Sequence, residues 1–190
     1  MTDEAVIQEG VPAAAQPRRR AWGVVLVWVL VLGFLALLGV GLLRSQQGPI
    51  SVGARTPQFS LKTFDGQVYN TADMSGKVVV VNFWASWCKP CEQEAADLQA
   101  AYQQYKDQGV MFLGVNYVDT EPEARAYLAR FGITYPNGPD LGTRVSQAFR
   151  IRGVPETYIV GPDGLLKSVK IGPFSSVDEI TSAIVAARGE

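Results

Sequence analysis

Hydrophobic residues fall into two regimes along this chain. From Ala21 to Leu43 the stretch AWGVVLVWVLVLGFLALLGVGLL runs without a charge. Beyond it, apolar residues come in short blocks or at helical spacing, divided by Gly, Pro and polar residues. The first regime predicts one helix of roughly 34 Å, enough to cross a bilayer. A buried soluble helix would need a polar face, and this one has none. A cleaved signal peptide is the rival reading. Its apolar core should span about 7–15 residues and end in a small-x-small site. This stretch is longer, and Gly39-Val40-Gly41 is its candidate site. Arg18, Arg19 and Arg20 precede the span and Arg44 follows it. The tail MTDEAVIQEGVPAAAQP has no helical or strand period and reads as disordered, and the positive flank predicts residues 1–20 as cytoplasmic, 21–43 as a transmembrane signal anchor and the rest outside. Residues 44–53, polar with Gly and Pro, read as a linker. Residues 54–190 read as the working domain.

That domain begins with Phe59–Lys62 and Gln67–Tyr69 about an Asp65-Gly66 turn, which predicts a hairpin. Lys77–Trp84, KVVVVNFW, is a continuous β-branched run of the kind buried on both faces of a sheet. A helix follows, with Ala95, Leu98, Tyr102 and Tyr105 on one face and Gly109 as its stop. Val110–Tyr117 is a second buried strand. Thr120–Glu123 has the form of a capping box, opening a helix with Ala124, Tyr127, Leu128 and Phe131 on its apolar face and Gly132 at its end. A short helix is predicted at Arg144–Phe149, and strands at Thr157–Val160 and Leu165–Ile171 about a Gly161–Gly164 turn. Val177, Ile180, Ile184 and Val185 mark a last helix. The order predicts an α/β layer fold with a mixed sheet.

Composition adds little: 47% hydrophobic, 18% charged and a formal net charge of −1 give no electrostatic case for a nucleic-acid partner. Two absences matter more. The chain has no histidine and only two cysteines, Cys88 and Cys91, both in FWASWCKPCEQE at the end of the predicted strand. Three uses compete for them. A structural zinc site wants four ligands, which two cysteines without histidine cannot supply within one chain. A structural disulfide across two residues closes so small a loop that it stabilises little. Reversible thiol–disulfide exchange suits the spacing. Cys88 precedes the first helical turn, where unpaired N–H groups and the positive dipole end favour a thiolate. Cys91, one turn in and more buried, would resolve a mixed disulfide. Lys89 adds a positive charge, and Pro90 lacks an N–H that the first turn does not need. Trp87 is read as flanking the reactive sulfur and Trp84 as core. A Cys–His hydrolase is excluded because its base is missing.

The motif WCKPC after a hydrophobic strand resembles the thioredoxin superfamily. With PQFSL, NFWASWCKPC, FLGVNYVD and GVPETYIVGPDG, residues 52–190 are most similar to its TlpA-like branch. That branch includes the ResA-like and DsbE/CcmG-like membrane-anchored thiol–disulfide oxidoreductases of cytochrome c maturation. The resemblance implies a thioredoxin-like mixed sheet flanked by helices, with an N-terminal β-hairpin and a central insertion, here residues 118–142. It implies that Pro155 is a cis-proline facing the cysteines. Val154 would then pair its backbone with an extended substrate peptide. Asn82 stands where thioredoxin has a buried aspartate. Glu94, one turn beyond Cys91, and Glu156, after Pro155, therefore have two readings each: a solvated surface charge, or a handler of the dithiol's proton. Peroxiredoxins share an opening like ARTPQFSL, but they need Thr or Ser three residues before the reactive cysteine, where this chain has Ala85.

By resemblance the expected activity is reduction of the CxxCH disulfide of apocytochrome c, with electrons from a membrane donor of the DsbD or CcdA type and with no cofactor and no metal. The direction follows from an oxidising compartment already making disulfides. A general extracytoplasmic reductase, and a non-catalytic tether that holds an apocytochrome, remain as alternatives.

Overall fold

The computed structural model describes residues 19–45 and 48–189, in two compact units, residues 1–47 and 48–190. The tail predicted for residues 1–20 lies almost wholly outside the described residues. In the first unit, α1 runs Arg19–Ser45, two residues beyond the predicted span at each end. Its Trp22–Leu42 stretch is long and apolar enough to cross a membrane. Nearly every described side chain on it is exposed, as suits a helix whose solvent is lipid.

In the second unit the chain from Gly48 is fastened rather than free. Ile50 packs against the core, and Gly53 N–H donates to the Leu166 carbonyl at 2.7 Å. The hairpin follows, β1 (Ser60–Lys62) antiparallel to β2 (Val68–Asn70). Gly66 turns it at φ +88, a conformation that Gly adopts without a Cβ clash. A short 3₁₀ turn at Thr71–Met74, absent from the sequence reading, leads to the main sheet.

That sheet has five strands in the order β5-β4-β3-β6-β7. β3 (Val78–Trp84) lies at its centre, parallel to β4 (Val110–Tyr117) and antiparallel to β6 (Glu156–Val160). All seven residues of β3 are buried, and their period of two divides them between faces. Val78 and Val80 pack with Leu98, Ile180 and Ile184 of α2 (Lys89–Tyr105) and α5 (Val177–Arg188). Val79, Val81 and Phe83 meet the hairpin's Leu61 and Phe149 of α4 (Arg144–Phe149). Each side chain of this size contributes about 1.5–3 kcal/mol on burial. β7 (Leu166–Ile171) closes one edge.

The other edge was not foreseen. β5 (Asn137–Asp140), sequence NGPD, pairs parallel with β4. Its residues signal a turn, yet a proline is tolerated at an edge where no N–H is needed. Tertiary context makes it a strand: the hairpin lies so close that a Cβ on Gly138 would sit 2.4 Å from the Lys62 carbonyl oxygen. α3 (Glu121–Arg130) connects β4 to β5. Its cap forms as predicted on one side, with Thr120 Oγ1 accepting Glu123 N–H. On the other side Thr120 N–H donates to Asp119 instead of to Glu123. Two expectations shift. α2 ends at Tyr105, so Gly109, at φ +73, turns the chain into β4 instead of capping the helix. Val185 is on the exposed side of α5.

Candidate active site

β3 delivers the chain to the N-terminus of α2, and Cys88 is the N-cap. Its Sγ accepts the N–H of Cys91 at 3.2 Å, the role a serine or aspartate oxygen plays in other caps. Cys88 and Cys91 are bonded to each other, S–S 2.06 Å. Pro90 sits in the first turn, where the missing N–H leaves no gap. A reduced sulfur at this cap faces the unpaired amides and positive end of a helix of 17 residues. That environment lowers a thiol pKa and makes the thiolate the better populated nucleophile. The two sulfurs do not differ in burial as expected. Cys88 is 3% and Cys91 1% exposed, so place on the helix, not access, separates them.

Lys89 contributes less than its position suggests. It is exposed and paired with Glu92 at 3.1 Å, and Glu92 also meets Arg130 of α3 at 3.4 Å. Exposed, partnered charges of this kind are screened and weak. Trp84 is core, as read: buried, stacked on Tyr127 at 4.6 Å, with its indole N–H donated to Asn137 Oδ1 at 2.8 Å. It shares a packed cluster with both cysteines. Trp87 is 58% exposed, and its indole N–H reaches the Val118 carbonyl at 3.2 Å.

Beneath the cysteines lies a buried polar cluster. Asn82, on β3, donates its side-chain amide to Glu94 Oε1 and to Thr157 Oγ1, both at 2.9 Å. Glu94 Oε2 accepts Phe174 N–H at 2.9 Å. Glu94 is thus no surface charge: it is 1% exposed and lies on the buried face of α2 with Cys91. Burial pushes its carboxyl up to about 7, and the amide donors and the more distant Lys170 offset only part of that rise.

The second predicted carboxylate is also buried, but in another place. Glu156 Oε1 accepts Arg152 N–H at 2.7 Å and Gly153 N–H at 3.2 Å, and Oε2 accepts the Tyr158 hydroxyl at 2.7 Å. It ties down the turn that precedes the Val154–Pro155 bond, which is cis as the resemblance implied. Val154 packs against the cluster holding the cysteines. Pro90, Val154, Pro155 and Ile171 line one shallow, mainly apolar groove. Among the described residues, the N–H and carbonyl of Val154 take no part in a backbone hydrogen bond.

Sequence reasoning missed three contributors. Thr157 and the Phe174 amide complete the Glu94 cluster, and neither stands near the cysteines in sequence. Asp119, 7% exposed, anchors the loop before Cys88 through Ser86. Its visible signals were its place directly before the Thr120 cap and at the end of the FLGVNYVD stretch.

Comparison with known proteins agrees with this geometry. Residues 52–169 match the AhpC/TSA family. The thiol–disulfide oxidoreductase ResA of Geobacillus thermodenitrificans is 31% identical over 153 residues, covering 79% of this chain and 88% of the relative. ResA of Bacillus subtilis is 29% identical over 153 residues, covering 80% and 84%. Among solved structures, a thioredoxin-family thiol:disulfide interchange protein of Chlorobium tepidum superposes with a TM-score of 0.66 at 27% identity. It covers 73% of this chain and 98% of the other. MTB DsbF superposes with a TM-score of 0.64 at 29% identity, covering 70% and 98%.

Proposed function

Because the chain belongs to the AhpC/TSA family and is a thiol–disulfide oxidoreductase of the ResA/DsbE type, we propose that it is anchored by α1 and reduces apocytochrome c disulfides outside the membrane. Residues 1–20 then lie in the cytoplasm, 21–43 span the bilayer, 44–53 link, and 54–190 work in the periplasm or on the outer face. The arginines before the span set that orientation. The observation that carries the chemistry is Cys88 capping α2 and bonded to Cys91, with the cis Val154–Pro155 turn packed against them.

In the reduced protein, Cys88 thiolate attacks one sulfur of the substrate disulfide. A mixed disulfide forms, and the other substrate sulfur leaves as a thiolate and takes up a proton. Cys91 loses its proton and attacks the Cys88 sulfur. The second substrate thiolate leaves, and two electrons have passed to the substrate. Glu94, titrating near 7 one turn from Cys91, is the group suited to hold the Cys91 proton. Substrate lies along the Pro90–Pro155 groove, its backbone against Val154 as an added strand. A membrane dithiol donor of the DsbD or CcdA type returns Cys88–Cys91 to the reduced state by the same exchange. The CxxCH substrate is favoured by the Pro155-Glu156-Thr157 triplet and the GVNYVD stretch.

The test is a mixed-disulfide trap with the full-length Cys91→Ala chain in cells. Capture of apocytochrome c supports the proposal. Capture of unrelated proteins instead, with holocytochrome c made normally in a strain lacking this chain, supports a general reductase. Full holocytochrome c production by Cys88→Ser/Cys91→Ser would replace catalysis by a holding role.

A further inference from the structure

The stretch Leu141–Pro155 carries Arg144, Arg150 and Arg152 and no acidic residue. The acids that bracket it, Asp140 and Glu156, are buried and hydrogen-bonded to amides within the domain. All three arginines are exposed. Lys89, Arg125, Arg130, Lys167 and Lys170 each meet a carboxylate. Among the described residues, the three arginines have no ion pair and no side-chain hydrogen bond. Arg144 opens onto a cleft beside the hairpin, which leaves Arg150 and Arg152 as neighbours on the turn after α4. That turn does not ask for an arginine. Arg150 ends α4 in the left-handed region, φ +55, where Gly or Asn is the usual occupant. A long cation kept there serves something beyond the turn.

Where the chain enters the domain indicates what that is. Gly48 lies against Arg152: a Cβ on it would be 2.9 Å from the guanidinium Nη2. Gly48 comes six residues after Leu42, the last residue of the stretch able to cross a membrane. Six extended residues reach at most about 20 Å, of which headgroups fill about 5–7 Å. From Arg44 to Arg55 the chain has no acid to repel an anionic surface.

We infer that Arg150 and Arg152 form a membrane-contact patch, resting on anionic headgroups of the bilayer that holds the chain. Each base near such a surface is attracted to it, and the attraction is screened by salt. Arg152 also lines the Pro90–Pro155 groove, so this contact keeps the groove near the bilayer surface. The inference rests on the reading that α1 crosses the membrane and is independent of the substrate's identity.

The experiment places the full-length chain in nanodiscs of phosphatidylcholine, alone or with an equal part of phosphatidylglycerol. Phenylglyoxal modification of each arginine is followed by mass spectrometry. Arg150 and Arg152 should react about fivefold more slowly in the discs with phosphatidylglycerol. Salt at about 0.5 M should restore their rates. Arg125, on α3, is the reference and should react alike in both discs. Arg150→Gly, which suits the left-handed turn, should cut the protection of Arg152 to about twofold. Equal rates in the two discs overturn the inference. So does a slowing that Arg125 shares, which would be the general effect of a charged bilayer on the reagent. Slow reaction in both discs that salt leaves in place overturns it too, since a protein or a neutral surface would then cover the arginines. Full protection of Arg152 in Arg150→Gly would mean that the two do not act as one patch. If the chain does not enter the discs, it is the reading of α1 that fails, and the inference with it.

Discussion

Glu94 accepts the side-chain amide of Asn82 at 2.9 Å, beneath the helix that carries both cysteines. The donor is neutral, so no cation in contact compensates the carboxylate. The opposing charge that acts on it, Lys170, is engaged by Glu179. Burial therefore outweighs the hydrogen bonds, and the carboxyl rises instead of falling. An aspartate at position 82 would set a second acid against the first. The amide lets one carboxyl stay buried in reach of either protonation state.

Glu94 makes the oxidised protein less stable as pH rises. Its carboxyl titrates near 4.5 when unfolded and near 7 when folded. The unfolded state thus loses its proton first. Below 4.5 the penalty is absent, between 4.5 and 7 it grows, and above 7 it is fully present. The 2.5-unit difference between the two values corresponds to about 3 kcal/mol. Urea unfolding from pH 4 to 8 should show this fall, and Glu94→Gln should flatten it. An unchanged slope in that variant would assign the pH dependence elsewhere.

The reduced cysteines should titrate apart. In Cys91→Ala, alkylation of Cys88 should have a midpoint at least one unit below the ordinary value of about 8.5, because the cap amides and dipole remain. In Cys88→Ala, Cys91 should titrate above about 8.5, since it is buried one turn inside the helix and has Glu94 beyond it on the same face. Midpoints that coincide would remove the separation of roles.

Much of this site was legible in the chain because it is local. A β-branched run, two cysteines at CxxC spacing and a proline in between define strand, cap and helix within fifteen residues, and the helix start at Lys89 matches that reading. The Val154–Pro155 turn was legible only by resemblance. What could not be read joins distant segments. The Phe174 amide reaches Glu94 across 80 positions, and Asn82 reaches Thr157 across 75. The burial of Glu94 follows from those partners, whereas Glu156 is held by Arg152, Gly153 and Tyr158, all within four positions of it; a charged side chain by itself signals exposure. β5 was missed for the same reason, its turn-forming residues made into a strand by β4 and the hairpin.

Glu156 braces a turn, which separates it from Glu94 in what its loss should do. Glu156→Ala removes the acceptor of Arg152 N–H, Gly153 N–H and the Tyr158 hydroxyl. Water can reach the first two, since both residues are exposed, but Tyr158 is buried and its hydroxyl keeps only the longer bond to the Phe149 carbonyl at 3.4 Å. The expected loss is about 2 kcal/mol, with a raised KM for peptide disulfides as the Val154–Pro155 turn loosens. Glu156→Gln should leave the midpoint of Cys88 alkylation in place. A moved midpoint would give Glu156 a part in the proton chemistry.

Gly114 is where the sheet and the active-site cluster meet most closely. It pairs with Asn82 on one side and Asn137 on the other. A Cβ there would lie 1.7 Å from Asn137 Oδ1 and 3.0 Å from Trp84 Nε1. Gly114→Ala must therefore displace the Asn137 side chain. That breaks its bond to the Trp84 indole and strains the one it donates to the Tyr135 carbonyl, also at 2.8 Å. All three residues are buried, so the freed groups find no water, and about 3–5 kcal/mol of stability should be lost. Trp84 packs with both cysteines, and exchange should slow as the cluster shifts. Gly142→Ala is the control, because its nearest neighbour would be 4.0 Å from the added carbon and the change should be nearly neutral. Equal melting temperatures for the two variants would mean that the close approach at Gly114 is readily relieved and that Asn137 does not hold Trp84 in place.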